Sequence, residues 1–492
     1  MPPLLSKSRY LAGLQCPRLV WTQINQPDRI PRVDSVTQHV FDQGHLVGEH
    51  AKLLFPGGID IAHDSFMKNI FATKRLMAAR KALFEAGILS GRTYSRIDIL
   101  NPVDKDGWEI VEIKSTTSVK DVHIDDVSFQ SYCCEQAGLA ITSCKLGFIN
   151  TQYVKDGAID PQQFFILEDI TALVEERRHT MEERILELLE VISGKTCPDA
   201  AIGEHCLAPY ECGLRTECWG FLPENSVFDL RGGKVMQFCL YRQGIISIKD
   251  IPEGTPLSGQ QRIQRECVLT GDTHVEKERI RSFLDGLRYP LYYLDFETMA
   301  PAIPLYDGMR PYQTIPFQFS LHVVEDGDSE PVHHSFLADG EDDPRPQVLD
   351  RLRGLLGSEG SIIAYNAGFE EGALRELVEA FPAYTDWLGG ILERFVDLLS
   401  PFRSFHYYHA SQKDTASLKS VLVAVTGRGY DEMVIGDGMA ASAAYARTVC
   451  GMATEEEVAT TRAALIEYCK RDTEGMVWLV EELRRMADRP ES

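Results

Sequence analysis

The sequence predicts a mixed α/β protein of more than one domain, and three observations lead there. At 492 residues the chain exceeds what one ordinary core accommodates. Strand-like runs alternate with helical stretches in both halves: SRIDIL and WEIVEIK near residue 100, LYYLDFETM and SIIAY beyond residue 290. A stretch of helical periodicity, ALIEYCKRDTEGMVWLVEELRRM over 464–486, closes the chain. These patterns divide it into residues 1–220, ending in a cysteine cluster, a turn-rich connector over 221–285, and residues 286–492, which open on the apolar strand YPLYYLDFE.

The composition narrows the function classes. No apolar run is long enough to span a bilayer, and the start MPPLLSKSRYLAGLQCPRLVW has no signal-peptide layout, so a cytoplasmic location and no membrane partner are expected. The net charge of −23 argues against a broad surface for non-specific nucleic-acid binding, since phosphate affinity comes from Lys and Arg. It leaves room for a metal-dependent enzyme, whose carboxylates add to the negative total. Twelve cysteines in a reducing compartment argue against a disulfide framework, and four of them crowd residues 197–218.

In the N-terminal region, SRIDIL, the turn VDKDG and WEIVEIK form a hairpin. Glu112 and Lys114 share one face of its second strand, and Asp98 lies on the first. Two carboxylates and a lysine can hold a divalent ion and polarise a phosphodiester. Gln130, in VSFQSYCCEQAGL, is read as opening a helix soon after, and FDQGHLVGEH over 41–50 as an earlier helix. Asp98…Glu112-x-Lys114 resembles the signature of PD-(D/E)XK nucleases of the RecB type. The resemblance implies a restriction-endonuclease-like domain, a helical glutamine at Gln130, and a further metal ligand from the earlier helix. Glu49 is the candidate for that ligand, with His45 and His50 as rivals. Tyr132 follows Gln130 sooner than the family's tyrosine does.

Cys16 lies near the start, and Cys206, Cys212 and Cys218 lie in HCLAPYECGLRTECWG. One early thiol and three late ones flanking the nuclease region resemble the iron–sulfur nucleases of CRISPR adaptation and of the AddB type. That implies a [4Fe–4S] cluster clasping the two ends of the domain. Zinc is the competing reading, because four thiolates also suit Zn²⁺, although the C-x5-C-x5-C spacing lacks the paired C-x2-C of common zinc sites. Cys197 is read as structural. Cys133, Cys134, Cys144, Cys239, Cys267, Cys450 and Cys469 are read as isolated buried thiols.

The connector contains YRQGIISIKDIPEG, in which Gly244 can join two short helices. Such a hairpin can grip a nucleic-acid backbone through helix N-terminal N–H groups; a plain helical connector fits equally.

In the C-terminal region, Leu291 to Leu294 form an apolar strand that then carries Asp295 and Glu297 on one face. Paired carboxylates there repel and are costly to desolvate, and Mg²⁺ or Mn²⁺ removes the problem. Ser361 to Tyr365 reads as a strand, Asn366 to Gly368 as a turn, and Phe369 onward as a helix with Glu370 in its first turn. Tyr468 and Asp472 stack four apart on one helix face.

Asp295-x-Glu297, Asn366-x-x-Phe369-Glu370 and Tyr468-x-x-x-Asp472 resemble, in order, the three motifs of the DEDD exonucleases, in the branch whose third motif carries tyrosine. ASLKSVLVAVTG over 416–427 resembles the helix before the third motif, and Asp397 sits where members have a strand ending in Asp. The resemblance covers roughly 288–486. It implies a ribonuclease H-like fold and two-metal 3′→5′ hydrolysis, with Asp295, Glu297 and Asp472 binding the ions and Tyr468 orienting the attacking water. The second motif supplies Glu370 where the family has aspartate. In PYQTIPFQFSLHV, Gln318 and His322 either line or support the site, or belong to a second core strand.

Both regions together resemble a bacterial family that fuses an iron–sulfur PD-(D/E)XK nuclease to a DEDD-type exonuclease. The expectation is a two-centre nuclease that uses Mg²⁺ or Mn²⁺ on DNA single strands or ends, in repair or in defence. RNA as substrate, or a nucleic-acid-binding protein with one or both centres inert, are the rival readings.

Overall fold

Two main β-sheets organise the chain, and each carries one of the acidic constellations. The computed structural model describes residues 2–62, 65–340, 342–449 and 453–489. The architecture is mixed α/β. The chain divides into two units: one takes Met1–Phe221 together with Pro301–Tyr312, the other Leu222–Ala300 together with Gln313–Ser492. No helix among the described residues is long and apolar enough to cross a membrane.

The first unit is built on seven strands: β1 (Leu5–Ser6), β2 (Ile59–Asp60), β3 (Leu83–Ser90), β4 (Thr93–Val103), β5 (Gly107–Lys114), β6 (Ala140–Ile149) and β7 (Phe165–Asp169). Their order is β2-β3-β4-β5-β6-β7, with β1 parallel to the start of β4. β4 and β5 form the expected antiparallel hairpin, with Ile99 opposite Val111. All of β5 but its last residue is buried, as a central strand should be. β5 and β6 are parallel, and the helix Asp121–Gln136 connects them. Gln130 therefore lies well inside this helix rather than at its opening. The helix Ser35–Lys52 lays Val47 and Ala51 against Val111, Ile113 and Phe84, and Ala302 of the returning segment joins the same core. That segment is tied to the unit by backbone bonds between Lys155 and both Gly308 and Met309.

In the second unit, β8 (His274–Val275) pairs with β14 (Tyr407–Tyr408). The main sheet comprises β9 (Leu291–Met299), β10 (Ile315–Val324), β11 (Val332–Leu337), β12 (Ser361–Ala364) and β13 (Phe395–Asp397), in the order β11-β10-β9-β12-β13. β10 runs antiparallel to β9 and β11, whereas β9, β12 and β13 are mutually parallel. Side-chain alternation on β9 gives each face its own core. Tyr292, Leu294 and Phe296 pack with Leu349, Leu352, Leu374 and Leu377. Leu291 and Tyr293 pack with Met476, Leu479, Val480 and Leu483 of the C-terminal helix Glu455–Asp488. Asp295 and Glu297 continue this second series, so the strand's own period aims both acids toward the helix that bears Asp472.

Residues 222–285 belong to the second unit. The helix Lys234–Arg242, Gly244 at φ +80° and a short turn at Ile248–Asp250 enclose a small core of Val227, Leu230, Leu240, Ile248 and Ile251. Gln264 ties this layer to the rest of the unit by donating to the Tyr408 hydroxyl and the Lys413 carbonyl.

Candidate metal centres

Three elements of the second unit bring four acids to one place. Asp295 and Glu297 come from β9, Glu370 from the first turn of the helix Gly368–Ala380, and Asp472 from the C-terminal helix one turn beyond Tyr468. Glu297, Glu370 and Asp472 are each at most 5% exposed. Burial, then the charges of Asp472, Glu297 and Glu370, push the Asp295 carboxyl far above the usual range. Burial and Asp472 raise Glu297 to about 8, and burial, then Asp397, raises Glu370 to about 8. Asp472 rises only to about 6, because its burial is countered by hydrogen bonds from Tyr430 and Tyr468 and by the charge of Lys419. The Tyr430 hydroxyl donates to Asp472 Oδ1 at 2.5 Å.

The donor set suits a hard divalent cation. Glu370 Oε2 is buried without a hydrogen-bond partner, a costly arrangement that a cation would relieve. Asp295, Glu297 and Cys469 each offer a ligand atom, and the three atoms lie within 4.8 Å of one another, the one such group among the described residues. The Cys469 thiol lies 3.7 Å from Asp295 Oδ2. Cys469 is buried as expected, but it stands at the acidic centre rather than isolated. Lys419 places its ammonium 5.5 Å from the Tyr430 ring centre and 5.3 Å from that of Tyr468.

Asp397 braces the turn that delivers Glu370. Its Oδ1 accepts from the backbone N–H of Asn366, Ala367 and Leu399. Asn366 sits at φ +74°, a conformation asparagine tolerates better than most residues. Gln318 and His322 support the site from β10, a core strand. Gln318 lies opposite Glu297 and donates to the Leu465 carbonyl at 2.8 Å, and His322 Nδ1 lies 2.7 Å from Thr473 Oγ1.

The family described as a domain of unknown function (DUF2779) matches residues 292–417. The match spans Asp295, Glu297, Glu370 and Asp397 and stops short of Tyr468 and Asp472. No curated protein matches the chain.

The first unit assembles a second polar centre. Asp98 Oδ2 accepts from the Ile113 N–H at 2.9 Å. Glu112 is fully buried and accepts from Lys114 at 2.6 Å, Lys7 at 2.7 Å and Gln130 at 2.7 Å. Asp126, one turn before Gln130, accepts from Lys114 at 2.7 Å and from Gln130 at 2.9 Å. Burial and the Glu112 charge raise Asp98 to about 7. Burial pushes Glu112 up as well, but Lys114 and Lys7 outweigh it and hold the carboxyl well below its ordinary range. Gln130 Oε1 is buried without a hydrogen-bond partner. Asp98, Glu112, Lys114 and Gln130 thus meet as the sequence led us to expect. Lys7 and Asp126 are additions. Asp126 was within reach of the pattern, being an acid four residues before a helical glutamine, whereas nothing local marks Lys7, 105 residues from Glu112.

Glu49 is not brought to this centre. The face of its helix that packs on β5 carries Val47 and Ala51, and Glu49 lies about 200° round the helix from Val47. Its carboxylate pairs with Lys52 and is largely exposed. His45 is exposed, and His50 turns back to the Leu46 carbonyl.

Cys16, Cys206, Cys212 and Cys218 line one small pocket with Ile202, His205 and Leu214. The helices Lys7–Gln15 and Pro17–Asn25 bring Cys16 there. Gln15 donates to the carbonyls of His205 and Tyr210, and the Trp21 indole to that of Gly194. Cys197 does not line the pocket. Cys133, Cys134, Cys144 and Cys267 are buried as expected; Cys239 is exposed, contrary to expectation, and Cys450 lies outside the described residues.

Proposed function

We propose that the chain is a metal-dependent nuclease with two active centres, hydrolysing phosphodiester bonds of DNA, with a C-terminal centre that works from 3′ ends. The observation that carries the reading is the convergence of Asp295, Glu297, Glu370 and Asp472 on one buried site beside Tyr468. Four carboxylates held above their ordinary range cost folding energy, and Mg²⁺ or Mn²⁺ chemistry is a use that offsets it. A ribonuclease H-like fold for this unit is supported by the central place of β9 and by the packing of the third-motif helix on its acid-bearing face.

Asp295, Glu297 and Asp472 would hold the ions, and Glu370 would reach them directly or through water. Bound ions would supply Lewis-acid stabilisation of the charge that develops on the phosphate. Tyr430 and Tyr468 keep Asp472 ionised by hydrogen bonding, and the Tyr468 hydroxyl would orient the attacking water. The Cys469 thiol packs beside Asp295, 3.7 Å from its Oδ2.

The N-terminal centre is read as a PD-(D/E)XK site, in which Asp98 and Glu112 would hold a divalent ion and Lys114 would offset charge at the phosphate. The four-thiol pocket is read as a [4Fe–4S] site. Four thiolates also suit zinc, but the C-x5-C-x5-C spacing lacks the paired C-x2-C of common zinc sites, which favours the cluster.

Digestion of 5′- and 3′-labelled DNA and RNA, single- and double-stranded, by wild type, Asp98→Ala and Asp295→Ala tests the reading. Asp295→Ala should remove trimming from 3′ ends by at least a hundredfold, and Asp98→Ala should remove a separate cleavage. Equal digestion by all three proteins sinks it.

A further inference from the structure

Lys7 reaches the N-terminal centre from outside its hairpin. It opens the helix Lys7–Gln15, and that helix is fixed at both ends. Ahead of it, β1 pairs with Thr93 and Tyr94 of the strand that carries Asp98. At its far end stands Cys16 of the thiol pocket. Between them, the Tyr10 ring stacks on Phe129 at 4.7 Å, the neighbour of Gln130. The lysine is thus aimed at the centre by the fold.

Its ammonium meets the same Glu112 oxygen that Lys114 meets, at 2.7 Å against 2.6 Å. Both lysines also face Asp126, Lys114 at 2.7 Å and Lys7 at 3.7 Å. With both ammoniums on it, Glu112 Oε1 has no room for a divalent ion; one lysine must withdraw first. Lys7 has the weaker second contact, and when it withdraws Lys114 still holds both Glu112 and Asp126. We infer that Lys7 is a positioning residue that occupies the divalent-ion position on Glu112 and is displaced when the metal binds. It holds Glu112 and Asp126 in place meanwhile, and makes metal loading a competition between an internal ammonium and the ion.

This rests on the PD-(D/E)XK reading of the centre. The test is calorimetric titration of Mn²⁺, without nucleic acid, into the full chain carrying Asp295→Asn and Asp472→Asn to silence the other centre. Against that background, Lys7→Met should bind Mn²⁺ about tenfold more tightly, because a nearby positive charge is gone. Lys7→Arg should bind as the background does, and Asp98→Asn should bind more weakly. Lost packing alone would not tighten metal binding. Unchanged or weaker binding by Lys7→Met overturns the inference while leaving the centre intact, provided Asp98→Asn weakens binding. If Asp98→Asn has no effect, the metal-centre reading itself falls, and the inference with it.

Discussion

Asp472 and its two tyrosines concentrate the residue-scale chemistry of the second unit. Hydrogen bonds from Tyr430 and Tyr468 favour its carboxylate and hold it near pH 6, while Glu297 and Glu370 rise to about 8. Tyr430→Phe removes one of them. A hydrogen bond to a charged group is worth about 1.5–3 kcal/mol, so the Asp472 pKa should rise and the acid limb of Mn²⁺ binding should move to higher pH. Titrations between pH 5 and 8 check this; an unmoved limb would mean that Tyr430 plays no part in keeping Asp472 ionised. Tyr468 and Asp472 were legible in the sequence because both lie on one helix stripe four residues apart. Tyr430 was not, since it lies in a loop 42 residues earlier and meets Asp472 only through folding. Glu370 was legible as an acid in a helix's first turn, whereas its unpartnered Oε2 required knowing what surrounds it.

Among the elements, β9 and β12 fix the second centre. Gly360 precedes β12 at φ +90°, and a Cβ there would stand 2.1 Å from the Pro290 carbonyl oxygen at the head of β9. Gly360→Ala should therefore destabilise the chain by roughly 1–3 kcal/mol from backbone strain, with the close contact adding to it. Because β12 leads into the helix that bears Glu370, Mn²⁺ affinity should fall as well. Thermal melts and metal titrations read the two effects, and an unchanged melting temperature would contradict the close approach of Gly360 to Pro290. The strands were readable from apolar runs and alternation. The C-terminal helix begins at Glu455, earlier than the apolar stripe suggested, because Thr454 and Glu457 form a capping box that starts it. The helix Ser35–Lys52 lays Val47 and Ala51, not Glu49, on the sheet, because acids and histidines in a polar helix do not by themselves say which face a sheet will cover.

For the whole molecule, the raised carboxyls link stability to pH and to metal. Between the ordinary carboxyl range and about pH 8, the folded chain holds protons at Glu297 and Glu370 that the unfolded chain has released. Asp98, raised to about 7, adds to the same effect. Stability without divalent ions should therefore fall as pH rises through that window. If Mn²⁺ is held by the folded centres as proposed, it should raise the melting temperature more at pH 8 than at pH 5. Melts in a chelator and in Mn²⁺ across this range check both statements, and a flat chelator profile would show that these carboxyls are not protonated in the fold.

By itself the sequence determined the mixed α/β class, the strands bearing Asp98, Glu112, Asp295 and Glu297, the helix bearing Tyr468 and Asp472, and the close spacing of Cys206, Cys212 and Cys218. Each of these is written in a local period of two or about 3.6 residues, or in a short spacing. Only the tertiary structure decided that Lys7 and Asp126 join the N-terminal centre, that Cys469 and Tyr430 stand at the other, that Glu49 stays outside, and that Pro301–Tyr312 belongs to the first unit. Those placements depend on contacts between residues distant in sequence, whose cost and gain are set by burial and charge in the folded chain and leave no local pattern.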